Sequence, residues 1–165
     1  VPAIAERLGA EDEMVRLAAA LALQSLGPEA IDAADRLREA KTDPDHAVRL
    51  AAIEVAGAVE QDPAATAAAL GILMAEADGD LRPFILNAVG ALGTAGAPAA
   101  GAVAGLLQDG EDWLRVQAAR TLAGMGPAAA EAAGKALFAA RGDSVPEVRR
   151  AAEEALLAVG LLEKK

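Results

Sequence analysis

The chain has 165 residues, 54% of them hydrophobic but only 2% aromatic, and its formal net charge is −10. Ala, Leu and Val dominate while strand-forming residues are sparse, which predicts an all-α protein of closely packed helices. The negative charge argues against nucleic acid as a partner, the lack of cysteine excludes disulfides and thiolate ligands, and the most apolar stretch, residues 64–75, is too short to span a membrane.

An aliphatic residue followed by arginine recurs along the whole chain, at Val15-Arg16, Val48-Arg49, Leu81-Arg82, Leu114-Arg115 and Val148-Arg149. The arginines are 33, 33, 33 and 34 residues apart. A period this constant is typical of a solenoid, in which each unit buries its apolar face against its neighbours.

The residues around each arginine predict a pair of helices. Apolar residues recur three, seven and ten positions after it, which is the spacing of one helix face. A glycine follows where a helix end favours a left-handed residue, except that Glu60 takes this place in the second unit. Proline at or soon after these sites predicts the start of a second helix.

In chain order, the pattern predicts a single solenoid over residues 1–165. An unpaired second helix is expected at 1–8, helix pairs at 12–41, 45–77, 79–107 and 111–141, and a terminal capping helix at 145–160. Opposite charges four residues apart, as at Arg150 and Glu154, are expected to solvate the outer face of the last helix. Because the repeat is interrupted at both ends, we expect the chain to be a fragment of a longer protein.

The pattern Asp-x-x-x-x-Val-Arg-x-x-Ala, found at 43–52 and 143–152, resembles the HEAT repeat, in particular the short bacterial, PBS-lyase type. The resemblance covers essentially the whole chain. It implies an α-α superhelix: a right-handed solenoid of antiparallel helix pairs, about ten helices in all, with the second helices on the concave face.

The resemblance also implies a structural ladder between repeats. Its arginines would be Arg16, Arg49, Arg82, Arg115 and Arg149, and its acids Asp43, Glu76, Asp109 and Asp143. Each acid would bond the arginine of its own or an adjacent repeat. Since Ala10 stands in the place of the first acid, the first rung is expected to be missing.

The sequence offers few candidates for catalysis. His46 is the single histidine and is expected to be a solvated turn residue. The Asp78-Gly79-Asp80 cluster starts like a calcium loop, but Arg82 follows where another oxygen ligand is needed. We therefore predict no catalytic residue, no metal site and no cofactor.

The outward positions of the second helices are almost uncharged in three successive units. This candidate concave binding face comprises Ala65, Ala68, Ala69, Ile72, Gly101, Ala102, Gly105, Ala132, Lys135 and Ala136. A contiguous surface of this kind often marks an interaction site. Alanine that fills a tightly curved inner face would give the same pattern, so both interpretations stay open.

Trp113 is a candidate rim contact because its position, two residues before the arginine, varies between units. The indole either lies flat over a neighbouring turn, which we favour, or is an exposed contact of the type enriched at binding hot spots.

The leading functional hypothesis is a non-catalytic scaffold or accessory domain that uses its concave face. The expected partner is another protein, a peptide, a domain or a second copy of the chain, and neither nucleic acid nor a membrane. The family resemblance leaves two alternatives: bilin lyase-like attachment of chromophores to phycobiliproteins, and a tail domain of a larger bacterial enzyme.

Overall fold

A computed structural model describes residues 1–108 and 111–163, and these residues form ten α-helices and no strand. The helices are α1 (Pro2–Glu6), α2 (Glu13–Leu26), α3 (Ala34–Ala40), α4 (His46–Glu60), α5 (Pro63–Glu76), α6 (Arg82–Ala91), α7 (Ala100–Gly105), α8 (Asp112–Met125), α9 (Ala130–Ala140) and α10 (Pro146–Ala158). Short 3-10 segments occur at Arg7–Gly9, Gly27–Ala33, Gly93–Ala99, Leu106–Gln108 and Gly126–Ala129. The predicted all-α solenoid is confirmed.

First and second helices alternate along the chain. The first helices α2 and α4 pack side by side, as do α6 with α8 and α8 with α10, while α5 packs on both α4 and α6. Among the second helices, α5 contacts α7 and α7 contacts α9. None of the described helices is long and apolar enough to cross a membrane.

The hydrophobic core consists of two clusters of buried residues that meet at α4. Val55 and Val59 of this helix pack into a cluster with the residues of α1 to α3, whereas its Leu50 and Ile53 belong to a cluster that extends to α10. Leucine, valine and alanine fill both clusters, as the composition predicted. Helix α4 therefore joins the two halves of the solenoid.

The glycines at the ends of the first helices have positive φ, as predicted: 54°, 55°, 66° and 80° at Gly27, Gly93, Gly126 and Gly160. In the second unit the left-handed residue is Gln61, with φ 53° and ψ 36°. Helix α4 therefore continues through Glu60. Asp62 then caps α5 by accepting from the backbone N–H of Ala65, and α5 is α-helical from its first residue, Pro63.

Helix α6, which is the first helix of the third unit, starts later than the sequence predicted. We predicted a helix from residue 79, but α6 begins at Arg82. A turn closed by a hydrogen bond from Leu81 N–H to Asp78 O, 3.1 Å long, precedes it. Pro83 stands in the first turn of the helix, where its missing N–H costs nothing.

Candidate interaction surfaces

Arginines of the first helices bond the acid of the following repeat. Nε of Arg16 donates to Oδ2 of Asp43 at 2.7 Å, and its Nη2 donates to Oδ1 at 3.0 Å. Arg115 bonds Asp143 in the same way, at 2.9 and 3.1 Å. Each pair is thus a two-pronged ion pair that joins neighbouring repeats.

Both aspartates are also held by their own turn. Oδ1 of Asp43 accepts from the backbone N–H of Asp45, and Oδ1 of Asp143 from that of Val145, each at 2.8 Å. The Val145 hydrogen bond, helped by Arg115, lowers the pKa of Asp143 against the opposing effect of burial. The hydrogen bonds to the aspartates in turn raise the pKa of Arg16 and Arg115, which therefore stay charged.

The second rung is looser than these two. Nη2 of Arg49 lies 3.0 Å from Oε2 of Glu76, whose side chain is 53% exposed, against 6% for Asp43. This contact is an ion pair without a hydrogen bond, because within the described residues neither the buried Nη2 nor the buried Nε of Arg49 has a hydrogen-bond partner. Asp109, the acid expected to follow Arg82, lies outside the described residues.

The residue six positions before an arginine also offers its main-chain carbonyl to that arginine. Nη1 of Arg16 donates to Ala10 O at 3.0 Å, and Nη1 of Arg149 donates to Asp143 O at 2.8 Å. This contact needs no carboxylate. The alanine at position 10 therefore leaves Arg16 fully engaged, through its own turn and through Asp43 of the next repeat.

Three equivalent grooves open between successive second helices, and we call them the second-helix grooves. Their volumes are about 350, 290 and 550 Å³. Each contains one arginine of the ladder and residues at the same offsets from it. The first is lined by Leu8, Gly9, Arg16, Arg36, Glu39 and Ala40; the second by Lys41, Thr42, Arg49, Ala69, Ile72 and Leu73; the third by Met74, Ala75, Arg82, Ala102, Gly105 and Leu106.

Charge decreases along this series. Arg36 and Glu39, which pair with each other at 2.9 Å, line the first groove. The equivalent residues are Ala69 and Ile72 in the second groove, and Ala102 with glycine in the third.

The structure places the predicted concave residues on the surface of α5, α7 and α9. Seven are exposed, namely Ala65, Ala68, Ile72, Gly101, Gly105, Ala132 and Lys135. Three are half-buried against the core, namely Ala69, Ala102 and Ala136. The sequence analysis did not include Met74 and Leu106, which also line the third groove, because it considered only outward positions and both side chains are almost fully buried in the core.

Glycines of the third groove are not required by close packing. A Cβ atom added to Gly101 or Gly105 would have no neighbouring atom within 4 Å. At Gly71 of α5, by contrast, it would lie 3.2 Å from Cα of Ala99. Gly71 lets two second helices approach, whereas Gly101 and Gly105 leave open space above the groove.

Trp113 lies between two further grooves, on the face of the first helices, and its side chain is 52% exposed. A groove of about 170 Å³ separates it from α6. The larger one, of about 590 Å³, lies between α8 and the start of α10, and we call it the Trp113 groove. It is lined by Asp112, Trp113, Val116, Gln117, Arg120, Val145 and Glu147.

The other candidates for chemistry are not assembled into a site. His46 is half-buried at the first position of α4, next to the capping residue Asp45. Asp78, Gly79 and Asp80 form the turn before α6. The described part of the chain contains no group of three or more His, Cys, Asp or Glu residues arranged to hold a metal ion.

Comparisons with known proteins agree with a solenoid of helix pairs. A sequence profile of HEAT repeats matches residues 1–83, half of the chain. A search of curated proteins finds no match. The crystal structure of an engineered protein is similar in fold, with a TM-score of 0.65 and 22% identity over 94% of this chain and 77% of that one. The chain therefore belongs to the HEAT repeat family.

Proposed function

We propose that this solenoid is a non-catalytic scaffold that binds a protein or peptide segment along its second helices, the face that the family resemblance predicts to be concave. HEAT repeats generally mediate protein–protein interaction. The observation that supports this surface is the series of three equivalent grooves, each bounded by two second helices and an arginine of the ladder.

The spacing of the grooves suits an extended segment. Packed helices lie about 8–10 Å apart, and an extended chain rises about 3.3 Å per residue. In the extended polyproline II conformation, which has three residues per turn and rises about 3.1 Å per residue, a peptide crossing the second helices would place every third side chain above a groove. The solenoid would then recognise a peptide sequence in which suitable side chains recur at every third position.

The third groove favours an apolar side chain of the partner. Its lining has four apolar side chains, Met74, Ala75, Ala102 and Leu106, of which Met74 and Leu106 are almost fully buried, and two polar ones, Arg82 and Gln108. Gly101 and Gly105 leave its mouth open. We expect most of the binding energy from this groove and the adjoining Ile72, which is 64% exposed.

A peptide library displayed on phage tests this proposal. Peptides selected on the wild-type protein are measured against Gly101→Glu, with Gly124→Glu as the control. Both glycines are exposed, both lie in helices, and a Cβ has open space at either site, so both variants are expected to fold. We expect Gly101→Glu to weaken binding at least tenfold and Gly124→Glu to leave it unchanged. Selection of peptides that bind both variants equally would exclude the third groove as the site.

A second copy of this chain is the other occupant to distinguish. Sedimentation velocity at increasing protein concentration detects it. Association that Gly101→Glu abolishes and Gly124→Glu retains would identify the second-helix face as a homodimer interface.

A further inference from the structure

All three aromatic side chains of this protein lie outside its core. The chain contains two Phe, one Trp and no Tyr. Phe84, Trp113 and Phe138 are 65%, 52% and 44% exposed. Aromatic residues usually supply much of the area that a core buries, but here aliphatic side chains supply all of it. Folding therefore does not account for the aromatic residues, and a surface role has to be considered for each.

Of these three aromatic residues, Trp113 is the one that lines the Trp113 groove. Its indole forms one wall of the Trp113 groove, with Val116 beside it on α8 and Val145 opposite, just before α10. The volume of about 590 Å³ accommodates two or three amino-acid side chains.

The charges around the indole define what the groove attracts. Asp112 and Glu147 stand in the first turns of α8 and α10. Asp112 is paired with Arg115 at 2.8 Å, whereas Glu147 has no ion-pair partner in the described ranges 1–108 and 111–163. An exposed aromatic face next to an unpaired carboxylate is complementary to a cation, since the ring face is the negative pole of the indole.

The opposite end of the groove carries the opposite charge. Arg120 lies seven residues after Trp113 on α8, or about 10 Å along a helix. It donates to Oε1 of Gln117 over a long 3.4 Å bond. A ligand with a cation at the indole would therefore place neutral or acidic groups near Arg120.

We propose that the Trp113 groove binds an arginine-containing extended segment of a partner protein. The guanidinium stacks on the indole and pairs with Glu147, and flanking aliphatic side chains contact Val116 and Val145. Arginine fits better than lysine because its planar group stacks and forms a two-pronged pair with a carboxylate. The net charge of −10 steers basic segments toward the protein. This surface is separate from the second-helix grooves, so its function does not depend on theirs.

Tryptophan fluorescence detects binding in this groove directly, because Trp113 is the single tryptophan of the protein and tyrosine is absent. The probe is the pentapeptide acetyl-Ala-Val-Arg-Val-Ala-amide, titrated while the indole emission is recorded. The control peptide has citrulline, a neutral analogue of the same shape, in place of arginine. We expect a saturable change in emission with the arginine peptide and binding about tenfold weaker with citrulline.

Two substitutions of opposite charge in the groove sharpen the test. Glu147→Lys is expected to weaken binding of the arginine peptide at least tenfold, whereas Arg120→Glu strengthens it. Trp113→Ala, followed by calorimetry, abolishes binding, and Trp113→Phe retains part of it. Gly101→Glu serves as the control for the other face and leaves all these values unchanged.

Several results would overturn the proposal. One is an emission that does not respond to the arginine peptide at millimolar concentration. Another is equal binding of the arginine and citrulline peptides. A third is an equal effect of Glu147→Lys and the distant Glu29→Lys, since long-range attraction by the whole protein would then explain the binding.

Discussion

Arg16 and Asp43 are 27 residues apart in the sequence and form an ion pair between neighbouring repeats. Nε of Arg16 lies 2.7 Å from Oδ2 of Asp43, and Nη2 lies 3.0 Å from Oδ1. Asp43 is buried, and its Oδ1 also accepts from the backbone of Asp45. One carboxylate thus joins the first helices α2 and α4 and holds the turn between α3 and α4. The resemblance anticipated such a pairing; the structure adds its direction, since Arg16, Arg49 and Arg115 each pair with the acid of the next repeat.

Removing this carboxylate should destabilise the protein. Asp43→Ala leaves Nε and Nη2 of Arg16 and the N–H of Asp45 without their acceptor, and we expect a loss of about 2 kcal/mol in the free energy of unfolding. Urea unfolding followed by circular dichroism measures it. Glu76→Ala is the matched control, since its rung is half exposed and makes one contact, and a smaller loss is expected. Equal losses would show that burial of the acid does not matter.

The stability of the Arg115–Asp143 rung should depend on pH. The pKa of Asp143 is lowered in the folded state, so between that pKa and the ordinary value of about 3.9 the unfolded chain binds more protons. The rung contributes its full stability above pH 4 and loses it as the pH falls. Asp143→Asn should therefore unfold more easily than wild type at pH 7, with a difference that shrinks below pH 4. A difference that is independent of pH would contradict the assignment.

Glu54 should behave in the opposite way. Burial raises the pKa of its carboxyl, and a hydrogen bond from Nε2 of Gln24 at 3.1 Å opposes the rise in part. Because the folded state binds the proton more tightly, stability falls as the pH rises from about 4 through the raised pKa. Glu54→Gln should thus increase Tm at pH 7 and lose this advantage near pH 4. Glu163→Gln, which changes the net charge equally at an exposed position, separates the local effect from overall repulsion.

Two glycines at the same repeat position should respond differently to alanine. Gly57 and Gly90 both stand eight residues after their arginine. At Gly57 a Cβ atom would overlap Oγ1 of Thr66 and lie 2.9 Å from its Cγ2, whereas at Gly90 it would lie 3.5 Å from Oγ1 of Thr121. We expect Gly57→Ala to cost about 1–3 kcal/mol by overpacking. Gly90→Ala should stabilise by up to about 1 kcal/mol, since alanine favours a helix. Thermal unfolding of both variants decides, and a shared sign would refute the difference in packing.

Replacement of Gln61 by glycine should stabilise the protein. Its φ of 53° costs an L-residue about 1–2 kcal/mol, which glycine avoids. Gln61→Gly is expected to raise the free energy of unfolding by about 0.5–1 kcal/mol, because glycine also adds entropy to the unfolded chain. Gln117→Gly in the middle of α8 is the matched change and should lower it by about 1 kcal/mol. Chemical denaturation of the pair measures both values.

The sequence predicted the repeat because the same local pattern of residues occurs in each unit. Val48 and Arg49 lie in the first turn of a helix just as Val148 and Arg149 do, and glycines of positive φ follow the first helices of the other four units at the predicted places. The departures came from local chemistry that the period does not contain. In the second unit Glu60 takes the place of the glycine, so α4 ends one residue later at the left-handed Gln61, and α6 begins only at Arg82, with Pro83 in its first turn.

The candidate surfaces were only partly readable. Exposed alanines of α5 follow from helical periodicity alone, because one face of a helix repeats within its own sequence. The third groove also requires Met74 and Gly105, about 30 residues apart on different helices. The position of Trp113 was noted from the alignment of units, but the groove beside it exists because Val145 and Glu147 are brought there by α10.

By itself, the sequence determined the helical class, the period, the helix pairs and the family, since these depend on residues close together in the chain. Only the tertiary structure decided which acid bonds which arginine, which small residues line a groove and which merely allow helices to approach, and what surrounds Trp113. Those properties depend on distances between side chains of different repeats, which are set by how the helices stack.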